Sequence, residues 1–313
     1  MRLLVLLGAL LLCGAASAAP LGGTPVALVT AEAQNELLAV DLDSGKVVQR
    51  VRLPAQPENI DGLAVVSTKG GAVSLLRVVR GRVRVAHVVR GFRAPHIALG
   101  DPSGRYVYVT DDAAGTLTTL ATRSGKVVAR LPVGSGAHHM SISAGANELW
   151  IALGESARQI TRVDVADPLH PHVLGRFDPG FAAHDLAFAP DAKRVWITAD
   201  DRADVAVLDV VTRKLLFRVP VGPPPQHVVF WGRDAYLSSG YGDRIVQVSA
   251  ATGKRRRSAR VAHGSFNLST IGSFVLLSSL LNGTLTELTL DLKPVRVLHL
   301  APSTRDVGGA AFP

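Results

Sequence analysis

Short runs of alternating aliphatic and polar residues cover the chain, and this pattern predicts β-strands rather than helices. The clearest example is residues 96–132, in which four such runs are separated by turns that contain Gly, Asp or Ser. The second run, residues 106–110, is rich in aromatic and β-branched residues, which favours a strand. Four short strands in an up-and-down meander form one blade of a β-propeller.

The same unit recurs along the chain, and each copy begins with a polar residue followed by an aliphatic one. The seven polar residues are Asn59, His96, His139, Asp185, His227, Asn267 and Asp306. Successive members are 37 to 46 residues apart. A repeat near 40 residues that contains several short strands is typical of a β-propeller. We therefore predict an all-β fold, a seven-bladed β-propeller.

The two ends of the chain each supply part of one blade. Residues 306–313 have the pattern of an inner strand with nothing after it, and residues 26–53 supply three strands with nothing before them. We predict that the C-terminal strand joins the N-terminal blade and closes the ring, which removes exposed sheet edges. The other blades start near residues 59, 96, 139, 185, 227 and 267. Because residues 59–95 almost lack a first turn, a six-bladed ring is the alternative.

The N-terminus has the pattern of a secretory signal peptide. Arg2 precedes an apolar stretch at residues 3–12, which is too short to span a bilayer, and residues 16–18 form a small-x-small cleavage site. We predict cleavage near Ala18, export to the periplasm or the extracellular space, and a single propeller domain at residues 19–313. Cys13, the single cysteine, would leave with the signal peptide. No later segment is long and apolar enough to predict a transmembrane helix.

The chain is basic, with a formal charge of +9. Its densest basic run contains Arg255, Arg256 and Arg257, and we expect this run on the outermost strand of a blade. Charges there protect a sheet edge from pairing with other chains, or they bind an anionic polymer or a lipid surface. Aromatic residues are scarce nearby, so sequence-specific binding of nucleic acid is not expected.

Several short motifs connect the chain to a known family. Pro-His at 95–96, Ala-Pro-Asp at 189–191, Tyr-Val-Tyr-Val-Thr at 106–110 and Ser-Gly-Lys-Val-Val at 124–128 resemble the YVTN-repeat β-propellers of exported prokaryotic proteins. The resemblance covers essentially the whole mature chain and implies the seven-bladed fold. It specifies little about function, because similar propellers occur in nitrous oxide reductase, surface-layer proteins and lactonase-like enzymes.

The seven polar residues of the repeat should lie together. In a propeller the inner strand of each blade starts at one face beside the central channel, so we expect all seven at one channel mouth. His138 and His184 immediately precede two of them and can reach the same place, and loop residues such as Asp112 add carboxylates. Imidazole and carboxylate groups bind divalent transition metals. The candidate metal ligands are His96, His139, His227 and Asp185.

Other roles for this ring fit the sequence as well. The polar residues can hydrogen-bond the loop backbone or hold channel water, or they can bind a small ligand or a protein partner. The chain has no Gly-x-Ser-x-Gly elbow, His-Glu-x-x-His motif, P-loop or dinucleotide fingerprint. We therefore expect a ligand- or partner-binding scaffold, with a lactonase-like hydrolase or a metal-dependent enzyme that uses the channel histidines as the alternative.

Overall fold

The computed structural model describes residues 24–154, 158–199 and 201–312. This part of the chain contains 28 β-strands in seven four-stranded antiparallel sheets, and a 3-10 turn at Glu32–Gln34. The sheets are the blades of a propeller, as predicted. The predicted signal peptide at residues 1–18 lies outside the described residues. No helix in the described part is long and apolar enough to cross a membrane.

The first three complete blades run consecutively along the chain, each from an inner to an outer strand. Blade 1 contains β4 (Pro57–Asp61), β5 (Ala64–Ser67), β6 (Ala72–Val79) and β7 (Arg82–Arg90). Blade 2 contains β8 (Pro95–Gly100), β9 (Tyr106–Asp111), β10 (Thr116–Ala121) and β11 (Lys126–Pro132). Blade 3 contains β12 (Met140–Ile142), β13 (Glu148–Ala152), β14 (Ile160–Asp164) and β15 (His172–Phe177).

The next three blades repeat this order. Blade 4 contains β16 (Leu186–Phe188), β17 (Arg194–Ile197), β18 (Asp204–Asp209) and β19 (Leu215–Pro220). Blade 5 contains β20 (Val228–Trp231), β21 (Asp234–Ser238), β22 (Arg244–Ser249) and β23 (Arg255–Arg260). Blade 6 contains β24 (Leu268–Ile271), β25 (Phe274–Ser279), β26 (Thr284–Thr289) and β27 (Pro294–His299).

The seventh blade is built from both ends of the chain and closes the ring. Its strands are β1 (Thr24–Ala31), β2 (Glu36–Asp41), β3 (Val47–Arg52) and the inner strand β28 (Val307–Phe312). Strand β28 pairs antiparallel with β1 along its length. The predicted closure is therefore confirmed. The six-bladed alternative is wrong, because residues 57–90 form a complete blade despite the short turn between β4 and β5.

The hydrophobic core lies between neighbouring blades. The second and third strands of each blade carry runs of buried residues, whereas the outer strands are largely exposed. Trp150 of blade 3 is fully buried and packs against Leu186 of blade 4. Trp196 of blade 4 is buried in the same way against Val228 of blade 5. The core thus joins each blade to the next and holds the inner strands in a fixed ring.

Candidate functional site

Five of the seven ring residues directly precede their inner strands, whereas Asn59 and His96 lie within β4 and β8. Six of them line one cavity of about 320 Å³ in the central channel, namely Asn59, His139, Asp185, His227, Asn267 and Asp306. His96 lies directly beside this cavity, where its Nε2 atom is 3.2 Å from Nε2 of His139. The backbone carbonyl of His96 also accepts a hydrogen bond from the Asn59 amide at 2.8 Å. The repeat therefore places all seven polar groups together.

A hydroxyl group near the end of the second strand fixes the position of most ring residues. In six blades this Ser or Thr donates a hydrogen bond to the carbonyl that precedes the ring residue of the next blade. The donors and acceptors are Thr30 with Glu58, Thr68 with Pro95, Thr110 with His138, Thr198 with Gln226, Ser238 with Phe266, and Ser278 with Arg305. In blade 3 the corresponding residue is Ala152, so the contact between blades 3 and 4 is made without this hydroxyl.

Blades 3 and 4 meet in the middle of a cluster of five imidazoles. The cluster consists of His96, His138, His139, His184 and His227. The rings of His96 and His138 stack with their centroids 3.5 Å apart and an interplanar angle of 19°. The ring of His139 is central, since its centroid lies between 4.5 and 4.9 Å from those of the other four.

Two groups of three imidazoles bring their nitrogen atoms within 4.8 Å of one another. We call His96, His138 and His139 the outer set, and His139, His184 and His227 the inner set. His138 and His184 were predicted as ligand-binding candidates but not as metal ligands, and each completes one of these sets. Three imidazole nitrogens at this separation could hold one transition-metal ion, which imidazole binds at Zn–N distances of about 2 Å.

Two carboxylates contact the Nδ1 atoms of imidazoles in the cluster and orient their rings. Asp112 contacts Nδ1 of His138 at 2.7 Å. Asp185 contacts Nδ1 of His227 at 3.1 Å and lies 3.5 Å from Nδ1 of His139. A carboxylate at Nδ1 holds the proton on that atom and directs Nε2 toward a ligand, which is the arrangement around many metal-bound histidines. Asp185 thus contacts two imidazoles, and its role as a metal ligand stays a prediction.

The protonation state of the buried imidazoles favours metal binding. Burial lowers the pKa of His96 and of His139 well below the ordinary value of 6.5, and the neighbouring imidazoles lower it further. Both rings are therefore neutral at physiological pH. Neutral imidazole is the form that donates a nitrogen lone pair to a metal. His96 and His139 thus enter a metal site as uncharged imidazoles.

The remaining part of the ring contains no imidazole and forms internal hydrogen bonds. The Asn267 amide points to the Asn59 side-chain oxygen at 3.4 Å. The Asp306 carboxylate accepts the backbone amide protons of Ile60 at 2.8 Å and of Val307 at 2.7 Å. Here the ring residues join loops and strands through hydrogen bonds. The ring is divided into an imidazole half and a hydrogen-bonded half.

The basic run lies far out on the ring. Arg255, Arg256 and Arg257 are exposed on β23, the outer strand of blade 5. Arg256 pairs with Asp234 at 2.9 Å, and Arg257 pairs with Asp291 at 2.8 Å. These carboxylates offset part of the local positive charge, which weakens attraction to an anionic polymer or lipid surface. Binding of such a partner stays a prediction.

Comparison with known proteins supports the fold and leaves the family open. No family model matches the chain. NirF from Stutzerimonas stutzeri is 20% identical over 164 residues, which are 52% of this chain and 41% of NirF. The match therefore spans less than half the length of that relative. The resemblance to YVTN-repeat propellers stays a prediction.

Solved structures share the architecture at low identity. A functionally unknown protein from Desulfotomaculum acetoxidans has a TM-score of 0.79 and 12% identity, and the match covers 92% of this chain and 99% of that protein. A candidate 6-phosphogluconolactonase from Bacteroides fragilis has a TM-score of 0.73 and 13% identity, over 93% and 99% of the two chains. These similarities show that the chain is a β-propeller scaffold with a lactonase-like protein among its structural neighbours.

Proposed function

We propose that the protein is an exported β-propeller that binds a divalent transition-metal ion at the five-histidine cluster of its channel mouth. The observation that supports this most directly is the convergence of three imidazoles in each of two sets, with nitrogens within 4.8 Å of one another. Export rests on the N-terminal signal pattern at residues 1–18. In this proposal the metal is the ligand that the scaffold binds.

The donor set indicates the class of metal. Imidazole nitrogens suit Zn²⁺, Cu²⁺ and Ni²⁺, whereas Mg²⁺ and Ca²⁺ prefer oxygen ligands. The oxygen donors closest to the cluster, on Asp112 and Asp185, contact imidazole Nδ1 atoms. The neutral state of His96 and His139 removes the repulsion that cationic imidazoles would exert on a dication. We therefore expect Zn²⁺ or Cu²⁺ to bind more tightly than Mg²⁺ or Ca²⁺.

A metal-dependent hydrolase is the second candidate. Three imidazoles leave a coordination position for water or substrate, which is the arrangement of catalytic zinc sites rather than structural ones. In such an enzyme a carboxylate near the imidazoles, such as Asp112, could accept a proton from water. A lactone-hydrolysis assay with and without Zn²⁺ separates the two functions, because a binding scaffold gives no turnover in either condition.

Metal titration of the mature protein tests the proposal. After removal of metal with a chelator, Zn²⁺ should bind stoichiometrically and raise Tm, with a stabilisation of about 2.7 kcal/mol at a free concentration 100 times Kd. The double variant His139→Ala with His227→Ala should not bind Zn²⁺, since it removes two imidazoles of the inner set and one of the outer set. His299 is exposed on β27, so His299→Ala is the matched control and should bind normally. A parent protein that takes up no Zn²⁺, Cu²⁺ or Ni²⁺ contradicts the proposal.

A further inference from the structure

The position of His139 connects the two histidine sets. His139 belongs to both the outer and the inner set. Its Nε2 atom faces Nε2 of His96 at 3.2 Å, and its Nδ1 atom lies 3.5 Å from the Asp185 carboxylate. The ring is buried, so it has little space in which to turn. A metal bound by either set therefore uses the same imidazole.

This sharing limits how many ions can bind. A neutral imidazole has one nitrogen lone pair, because the other nitrogen carries the proton. Two simultaneous ions would require His139 to lose that proton, and they would place two dications close together in a buried site. The Asp185 carboxylate lies 3.5 Å from Nδ1, and its negative charge favours the tautomer that keeps the proton on that atom. The cluster therefore has room for one ion at a time.

The two sets differ in their surroundings. In the outer set, the His138 side chain is 21% exposed and pairs with Asp112, which is 32% exposed. In the inner set, His227 lines the channel cavity and pairs with Asp185, which is 12% exposed. The outer set is thus slightly more exposed through His138 and Asp112, and both sets reach the channel cavity through His139.

We propose that the cluster holds a single divalent ion that moves between the outer and the inner set, with His139 bound in both positions. This inference rests on the proposed metal-binding function. Each set supplies three ligands, so the fourth position of a tetrahedral ion is open to an incoming imidazole of the other set. The ion can therefore exchange ligands one at a time without returning to water. Such a site suits a metal that is taken up and passed on, rather than one that is held permanently for stability.

Single-histidine variants test this inference by Zn²⁺ titration calorimetry. The parent should bind one ion. His96→Ala removes only the outer set and His227→Ala removes only the inner set. Each variant should still bind one ion, with Kd raised about twofold if the two sets are equally populated. His139→Ala removes both sets and should raise Kd more than about 100-fold, beyond the range typical of residues that only support ligands. His299→Ala is again the control.

Cobalt spectroscopy provides a second measurement that does not depend on affinity. Co²⁺ in the His96→Ala and His227→Ala variants should give two different visible spectra, because the ligand sets differ. The spectrum of the parent should be a weighted sum of these two spectra. Melting curves without metal establish that each variant is folded before its titration is interpreted.

The outcomes distinguish this inference from the function on which it rests. No binding by the parent overturns the proposed function and the inference together. Two ions bound by the parent overturn the inference alone. A tenfold or greater loss of affinity in His96→Ala or in His227→Ala also overturns it, since a single set would then hold the ion. Undiminished binding by His139→Ala shows that His139 is not shared.

Discussion

Replacing Asp306 with Asn should remove a pH dependence from the stability of the propeller. The Asp306 carboxylate is buried where β28 meets blade 1, and it accepts the amide protons of Ile60 and Val307. Burial raises the pKa of this carboxyl from 3.8 to about 6. Desolvation outweighs the opposing effects of the two amide hydrogen bonds and of the nearby His227 and Arg305 side chains.

The direction of the effect follows from the protonation state that the fold favours. A carboxyl with a raised pKa holds its proton more tightly in the folded protein than in the unfolded chain. Its contribution to stability is therefore fully present below about pH 4 and is lost as the pH rises through about 6. The difference between 3.8 and about 6 corresponds to about 3 kcal/mol in the free energy of unfolding. Asn at position 306 does not titrate, so the variant lacks this contribution.

Chemical denaturation of the parent and of Asp306→Asn at a series of pH values measures the effect. Groups that do not interact with position 306 titrate alike in both proteins, so the difference between the two free energies of unfolding reports on Asp306 and its immediate neighbours. The side-chain amide accepts one fewer hydrogen bond than the carboxylate, which shifts this difference by a constant amount. Relative to the variant, the parent should lose about 3 kcal/mol between about pH 3.5 and pH 7.5. A difference that is the same throughout this range would refute the reasoning.

Two further substitutions test how the blades are joined. Thr198→Val should lower the free energy of unfolding by about 1–3 kcal/mol, because the buried Gln226 carbonyl of the next blade loses its hydroxyl donor. Thr252 is exposed, so Thr252→Val is the control and should change the free energy of unfolding by less than about 0.5 kcal/mol. Gly283→Ala should cost about 3 kcal/mol or more in the same denaturation assay, since the new Cβ would lie 1.6 Å from the Ala301 carbonyl oxygen. Gly272→Ala has a similar positive φ with nothing within 4 Å, so it should cost about 1–2 kcal/mol. Equal losses in either pair would contradict the assigned contacts.

The ring of seven blades could be predicted from the sequence because each blade repeats the same local pattern of residues. Alternation of aliphatic and polar residues identifies strands, and their period identifies blades, even where the turn between β4 and β5 is short. The closing blade was also predictable, since residues 306–313 lacked partners at their own end of the chain. Each of these features depends on backbone pairing, which leaves a trace in the linear order of residues.

The separation of the ring into an imidazole half and a hydrogen-bonded half depends on contacts between residues that are distant in the sequence. His138 lies before β12 begins, so strand alternation does not decide which way it points, and it stacks on His96 of the preceding blade. In the sequence Asp112 is one of several loop carboxylates, and only the folded structure shows that it contacts His138. The hydroxyl groups that join the blades can be recognised in the repeat as Thr or Ser, but the repeat does not show which carbonyl groups accept their hydrogen bonds.

The antiparallel seam between β1 and β28 offers little resistance to a force that pulls the two ends of the chain apart. The two strands are antiparallel, so Thr24 lies opposite Phe312 at one end of the seam and Val29 lies opposite Val307 at the other. A force that separates residues 24 and 312 therefore acts across the hydrogen-bond ladder at a single point. The hydrogen bonds of the seam therefore break one after another from this end, and not all at once. Any machinery that pulls on both ends of the chain would open the ring at this seam first.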